Sequence, residues 1–129
     1  MDKRHILGFE HLGIPSSNIE RTISFYEKLG FSVVMRTNDP NTKAEVAFLS
    51  LGNFVIETYE KEKTAGKNGA LDHFSLLIDD VEALYKEALA DGFEILTNGI
   101  ETLPFWENGV SFFKIKGPDG ESVELLERL

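Results

Sequence analysis

Cysteine is absent from this chain of 129 residues. That excludes disulfides, zinc–thiolate sites and a cysteine nucleophile. Basic residues are scarce: 13 Lys and Arg stand against 22 Asp and Glu, for a net charge of −9. A deficit of this size argues against nucleic acid or an anionic membrane as partner, because phosphate binding needs a basic face. Long apolar runs are also missing, and none approaches the roughly 20 residues of a membrane span. The opening stretch MDKRHILGFEH is charged and lacks the apolar run of about 7–15 residues that marks a signal peptide. The expected compartment is therefore the cytoplasm.

What is present is an ordinary globular composition, 42% hydrophobic and 27% charged, in a length that suits one domain or two small halves sharing a core. The ten phenylalanines supply bulk to fill a core or line a pocket. Internal similarity is the dominant pattern. HLGIPSSNIERTISFYEKLGF (residues 11–31) aligns without a gap on HFSLLIDDVEALYKEALADGF (residues 73–93), at an offset of 62. Each copy opens with a histidine in an apolar segment, passes through a helix and ends in Gly-Phe. A repeat of this kind sets the architecture before any single residue does.

In the first copy residues 8–14 read as a strand closed by Pro15. Ser17 and Glu20 have the spacing of a capping box, and the apolar residues Ile19, Ile23 and Tyr26 form a helical stripe. In the second copy Asp79 takes the place of the cap, and Val81, Leu84, Tyr85, Ala88 and Leu89 recur at helical spacing. Gly30 and Gly92 are placed to end the helices in a left-handed conformation. Three strand-like segments follow each helix: residues 31–36, 44–51 and 54–60, then 93–96, 110–116 and 122–127. The chain thus reads as two tandem β-α-β-β-β modules, residues 7–60 and 70–129, joined by the polar linker 61–69. The second carries a longer loop, residues 97–109. His5 lies outside the repeat and reads as a surface residue.

Carried past the longer second loop, which moves the offset from 62 to 67, the repeat also pairs two carboxylates. Glu57 and Glu124 each lie in the last strand of their half, flanked by apolar residues. Each module therefore supplies one histidine from its first strand and one glutamate from its last. A lone histidine in an apolar strand is usually a hydrogen-bonded core residue, and a lone strand glutamate usually faces water. The repeat equivalence of His11, Glu57, His73 and Glu124 points instead to a shared metal site. Imidazole nitrogen and carboxylate oxygen suit a divalent Ni, Zn, Co, Mn or Fe ion. Two neutral and two anionic ligands balance its charge, and an octahedral ion keeps two positions for water or substrate.

These features resemble the vicinal oxygen chelate superfamily, which includes glyoxalase I, extradiol dioxygenases, fosfomycin-resistance enzymes, methylmalonyl-CoA epimerase and bleomycin-resistance proteins. The resemblance rests on FEHLGIPSSNIERTISFYEKLGF, NFVIE, LDHFSLLIDDVEAL and GPDGESVELLE, and it covers about residues 7–127. It implies an α+β fold in which residues 1–129 make one such domain, paired βαβββ modules forming an open, barrel-like cavity of mixed sheet. It also implies that His11, Glu57, His73 and Glu124 match the four metal-ligand positions of glyoxalase I.

The reaction implied is that of a metal-dependent lyase or isomerase. A substrate with two adjacent oxygens, such as a 2-oxoaldehyde hemithioacetal, would pass through an enediolate, with Glu57 or Glu124 moving the proton. The alternatives within the family are thiol transfer of the fosfomycin type, acyl-CoA epimerisation, extradiol ring cleavage, and ligand sequestration without catalysis. The resemblance further implies a homodimer with a small-molecule partner. One departure is visible: glutathione-using glyoxalases usually carry arginine four residues after the first histidine, and here that residue is Pro15. Phe105 and Trp106, in the loop at residues 99–109, are expected either at a pocket rim, with Gly109 as hinge, or packed against the core or a partner subunit.

Overall fold

The fold is described by a computed structural model, which covers residues 3–5 and 7–129. Met1, Asp2 and Ile6 of the opening stretch lie outside the described residues. The chain divides into two compact units, one running through Thr64 and the other from Ala65. Among the described residues no helix is long and apolar enough to cross a membrane.

The first unit builds β1 (Leu12–Ser16), α1 (Ile19–Lys28), β2 (Ser32–Asn38), β3 (Glu45–Leu51) and β4 (Phe54–Glu60). Its strands form one sheet in the order β1-β4-β3-β2, with β1 parallel to β4 and the other pairs antiparallel. Strands alternate faces, so one side of each carries the core. Ala47, Leu49 and Ile56 are fully buried with Ile19, Ile23 and Tyr26 of α1. Tyr26 sits between Phe25 at 5.0 Å and Phe31 at 5.4 Å, edge to face. Burial of this kind is the main favourable term holding a module of this size together.

The second unit repeats the plan with β5 (Phe74–Ile78), α2 (Val81–Ala90), β6 (Glu101–Leu103), β7 (Val110–Lys116) and β8 (Ser122–Arg128). Its sheet order is β5-β8-β7-β6, again with the first and last strands parallel. Phe113 and Val123 are fully buried, and Tyr85 of α2 meets Phe113 edge to face at 5.2 Å. The fold is thus α+β, two tandem modules, each a four-stranded mixed sheet with one helix.

Four local expectations are corrected. Pro15 does not close the first strand; it lies inside β1, opposite Tyr59. β1 is an edge strand, where a residue without an N–H costs no ladder bond. The helix caps are Asn18 and Asp80, one residue beyond Ser17 and Asp79: Asn18 Oδ1 accepts from Arg21 N at 3.1 Å, and Asp80 Oδ1 from Ala83 N at 2.9 Å. Ser17 Oγ accepts from the Arg21 guanidinium instead, and Glu20 turns outward to Arg36 at 2.6 Å. The glycine stops hold, with Gly30 at φ 90° and Gly92 at φ 77°.

The fourth correction concerns residues 93–96, which make an isolated bridge, Ile95 to Ile115, rather than a strand. The long loop contributes its own short strand, β6, to the edge of β7. The single edge strand of the first module is therefore split in the second by the inserted residues.

Two stability measurements check this description. Asn18→Ala lowers the unfolding free energy by about 1 kcal/mol, the usual worth of an N-cap, while Ser17→Ala costs less than half of that. Thr58 Oγ1 is buried and has no hydrogen-bond partner among the described residues. An unpaired buried hydroxyl costs roughly 1–3 kcal/mol, so Thr58→Val raises stability in urea unfolding. Equal losses for the two cap variants, or a destabilised Thr58→Val, contradict these assignments.

Candidate metal centre

Parallel pairing of the first and last strands places each histidine beside its glutamate. In the first unit Gly13 stands opposite Glu57, and His11 lies two residues earlier, one residue before β1 begins rather than inside the strand as expected. His11 Nε2 is 3.2 Å from Glu57 Oε2. In the second unit Ser75 stands opposite Glu124, and His73 Nε2 is 3.7 Å from Glu124 Oε2. Gly13 and Ser75 are equivalent in the repeat, so the register itself is duplicated. The histidine side chains are about one-third exposed, Glu57 is 29% exposed and Glu124 only 10%.

Both imidazoles are held on their other nitrogen as well. His11 Nδ1 hydrogen-bonds the Glu10 carboxylate. His73 Nδ1 lies 2.6 Å from Asp72 Oδ2. The Glu10 hydrogen bond is the main cause that raises the His11 pKa above the ordinary histidine value, partly offset by desolvation and helped by the charge of Glu57. Asp72 is held below the usual carboxylate range, first by its hydrogen bond to His73 and then by the charge of Lys114.

The two pairs differ across the neighbouring strand. Lys114 of β7 stands opposite Glu124, whereas Phe48 of β3 stands opposite Glu57. Lys114 Nζ lies 3.2 Å from His73 Nδ1, 3.7 Å from Asp72 Oδ2 and 3.9 Å from Glu124 Oε2. Phe48 meets the His11 ring edge to face at 5.8 Å. Glu57 also lines an open cleft of about 590 Å³ with Val46, Tyr59, Lys61 and the turn at Asp39 and Thr42.

The structure brings together His11 with Glu57 and His73 with Glu124, as one pair in each unit. No group of three or more His, Asp or Glu side chains is placed to hold a metal among the described residues. Phe105 and Trp106 lie on the exposed loop before β7, at 57% and 67% exposure. Trp106 adopts φ 61°, and the Arg128 guanidinium stacks on its ring at 4.0 Å. Arg128 is four residues beyond Glu124 on β8, roughly 13 Å along the strand.

Reading the sequence missed Lys114, Glu10 and Asp72. The acids were legible, since Glu10 and Asp72 share the offset of 62 with the histidines they precede. Lys114 was not, because only the β7–β8 register puts it opposite Glu124.

A family model described as the Glyoxalase/Bleomycin resistance protein/Dioxygenase superfamily matches residues 8–125. The uncharacterized protein YwbC of Bacillus subtilis (strain 168) is 35% identical over 126 residues, covering 92% of this chain and 96% of that protein. The chain belongs to the glyoxalase/bleomycin resistance/dioxygenase superfamily, the vicinal oxygen chelate proteins. Within that class its solved neighbours are varied. A glyoxalase family protein from Enterococcus faecalis superposes with a TM-score of 0.78 at 24% identity, over 94% of this chain and 98% of that one. A glyoxalase I mutant from Zea mays gives 0.76 at 25% identity, over 92% of this chain and 44% of that one. The fosfomycin resistance protein FosX from Listeria monocytogenes, solved with Mn(II) and sulfate, gives 0.74 at 13% identity, over 95% of this chain and 93% of that one, and shares the fold.

The stacking of Arg128 on the single tryptophan has a direct optical test. Arg128→Ala makes Trp106 more accessible to acrylamide quenching and lowers stability by no more than about 1 kcal/mol, as expected for an exposed cation–π contact. Unchanged quenching contradicts the stacking.

Proposed function

We propose that the chain is a divalent-metal-dependent lyase or isomerase of the glyoxalase type, acting on a small substrate with two adjacent oxygens. The observation that carries this reading is the duplicated histidine–glutamate pair, each with imidazole Nε2 turned toward a carboxylate oxygen at 3.2 Å or 3.7 Å. The donor chemistry fits a divalent ion. Two imidazoles and two carboxylates balance its charge, and nitrogen–oxygen donor sets suit Ni, Zn, Co, Mn and Fe. His11, Glu57, His73 and Glu124 are the four residues proposed to hold it. When bound, the ion supplies Lewis acidity, polarising a substrate carbonyl and stabilising the negative charge that develops on it.

The chain's own residues do the rest. Glu57 and Glu124 are the candidate bases: one carboxylate takes the proton from the carbon beside the carbonyl and returns it to the neighbouring carbon. The cleft beside Glu57 gives a small molecule access to that carboxylate. Pro15, inside β1, offers no cation to a glutathione carboxylate, so the thiol carrier is proposed to be held by other contacts or to be a different thiol. A homodimer working in the cytoplasm on a small molecule completes the reading. The presence of Glu57 favours this redox-neutral reaction over ring cleavage, where two histidines and one glutamate are the characteristic set.

Metal analysis is the first test. Protein stripped by chelator and reconstituted is expected to take up one divalent ion per chain, and His11→Ala and His73→Ala each lose it. Absence of a stoichiometric ion overturns the reading. Hemithioacetal conversion, followed with glutathione and with other thiols, is the second. Glu57→Gln or Glu124→Gln is expected to cut turnover by about 10²–10⁴-fold, the usual worth of a general base, while the metal stays bound. Full turnover in both variants rules out the proton-transfer role.

A further inference from the structure

We propose that Glu10 and Asp72 are positioning residues: each accepts a hydrogen bond from Nδ1–H of the histidine that follows it, which keeps the ring proton on Nδ1 and leaves the Nε2 lone pair facing the glutamate of its own module. The inference rests on the metal reading above, since a free Nε2 is what a metal would need. A neutral imidazole carries one proton, and whichever nitrogen keeps it has no lone pair for an ion. An acceptor fixed at Nδ1 therefore decides the state of Nε2. Metal-binding histidines commonly have their other N–H tied to a carboxylate in this way.

The duplication makes the arrangement hard to dismiss as a chance surface contact. Glu10 and Asp72 differ in side-chain length, yet both hydrogen-bond Nδ1 of the next residue. Both carboxylates are also largely exposed, at 80% and 75%. An ion pair that open to water adds little to stability, so fold stabilisation is a weak reason for keeping it twice.

The other groups facing each ring make the competition explicit. His11 has Glu57 at Nε2 and Glu10 at Nδ1. His73 has Asp72 at 2.6 Å on Nδ1 against Glu124 at 3.7 Å on Nε2. Lys114 complicates only the second module. Its ammonium lies 3.2 Å from His73 Nδ1 and has donors alone, so it asks Nδ1 to accept while Asp72 asks it to donate. If Lys114 prevailed, the ring proton would sit on Nε2 and block it. The shorter Asp72 contact favours the opposite outcome, with Lys114 paired to the Asp72 and Glu124 carboxylates.

The test uses the full chain stripped of metal, at alkaline pH where imidazoles are neutral. Nitrogen–proton correlation spectra of the rings read the tautomer directly, with His5 as an internal comparison. In the wild type, His11 and His73 are expected in the Nδ1–H form. Glu10→Ala and Asp72→Ala should each move the adjacent ring to Nε2–H and raise the Kd for Zn²⁺ by about 10–100-fold. Glu10→Asp and Asp72→Glu, which exchange the two acids the repeat already uses, should restore both readouts. A wild-type Nε2–H tautomer overturns the proposal, as do alanine variants with unchanged tautomer and affinity. Wild-type protein that binds no zinc overturns the metal reading, and the tautomer spectra still decide the role of the acids.

Discussion

The pairing of each module's first strand with its last, in parallel, is the constraint on which the rest depends. Gly13 opposite Glu57 and Ser75 opposite Glu124 are the same register used twice. A slip by one residue would carry the glutamate to the other face, because side chains alternate along a strand. The buried alternation holds that register. Ile56 and Thr58 flank Glu57, and both are fully buried on the helix side of the sheet. Val123 and Leu125 do the same around Glu124. The apolar core is thus what aims the two carboxylates at the histidines.

Duplication followed by divergence explains the asymmetry between the pairs. The backbone plan, the helix caps at Asn18 and Asp80, and the acid before each histidine are kept. What changes is the residue across the sheet, Phe48 in one module and Lys114 in the other. An aromatic edge beside His11 leaves Glu57 open to its cleft. Lys114 gives Glu124 a cationic neighbour across the sheet, and Glu124 is also the less exposed of the two carboxylates. Related scaffolds thereby present two chemically distinct glutamates.

Much of the fold was legible from the chain itself. Local signals are strong where they are self-contained: helical periodicity, terminal glycines, and strand alternation in 54–60 and 110–116 match the structure closely. They fail where two local solutions compete. Ser17 and Asn18 are both good caps, and the choice went to Asn18 once Ser17 engaged Arg21. Pro15 reads as a stop in isolation and becomes admissible only because β1 is an edge. The split edge of the second sheet depends on where an inserted loop folds back, which no short window of sequence contains.

The candidate site divides the same way. Sequence alone determined the two-module architecture and the repeat-equivalent set His11, Glu57, His73 and Glu124, which follow from the duplication once the longer second loop is allowed for, and its motifs already resembled the family. It also contained Glu10 and Asp72, at the same offset. Only the tertiary structure decided how these residues meet. It set which nitrogen of each histidine faces its glutamate, that a carboxylate holds the opposite nitrogen, and that Lys114 enters one pair while Phe48 borders the other. Those are matters of strand register and side-chain direction, and both are settled by the packing of a whole sheet against its helix.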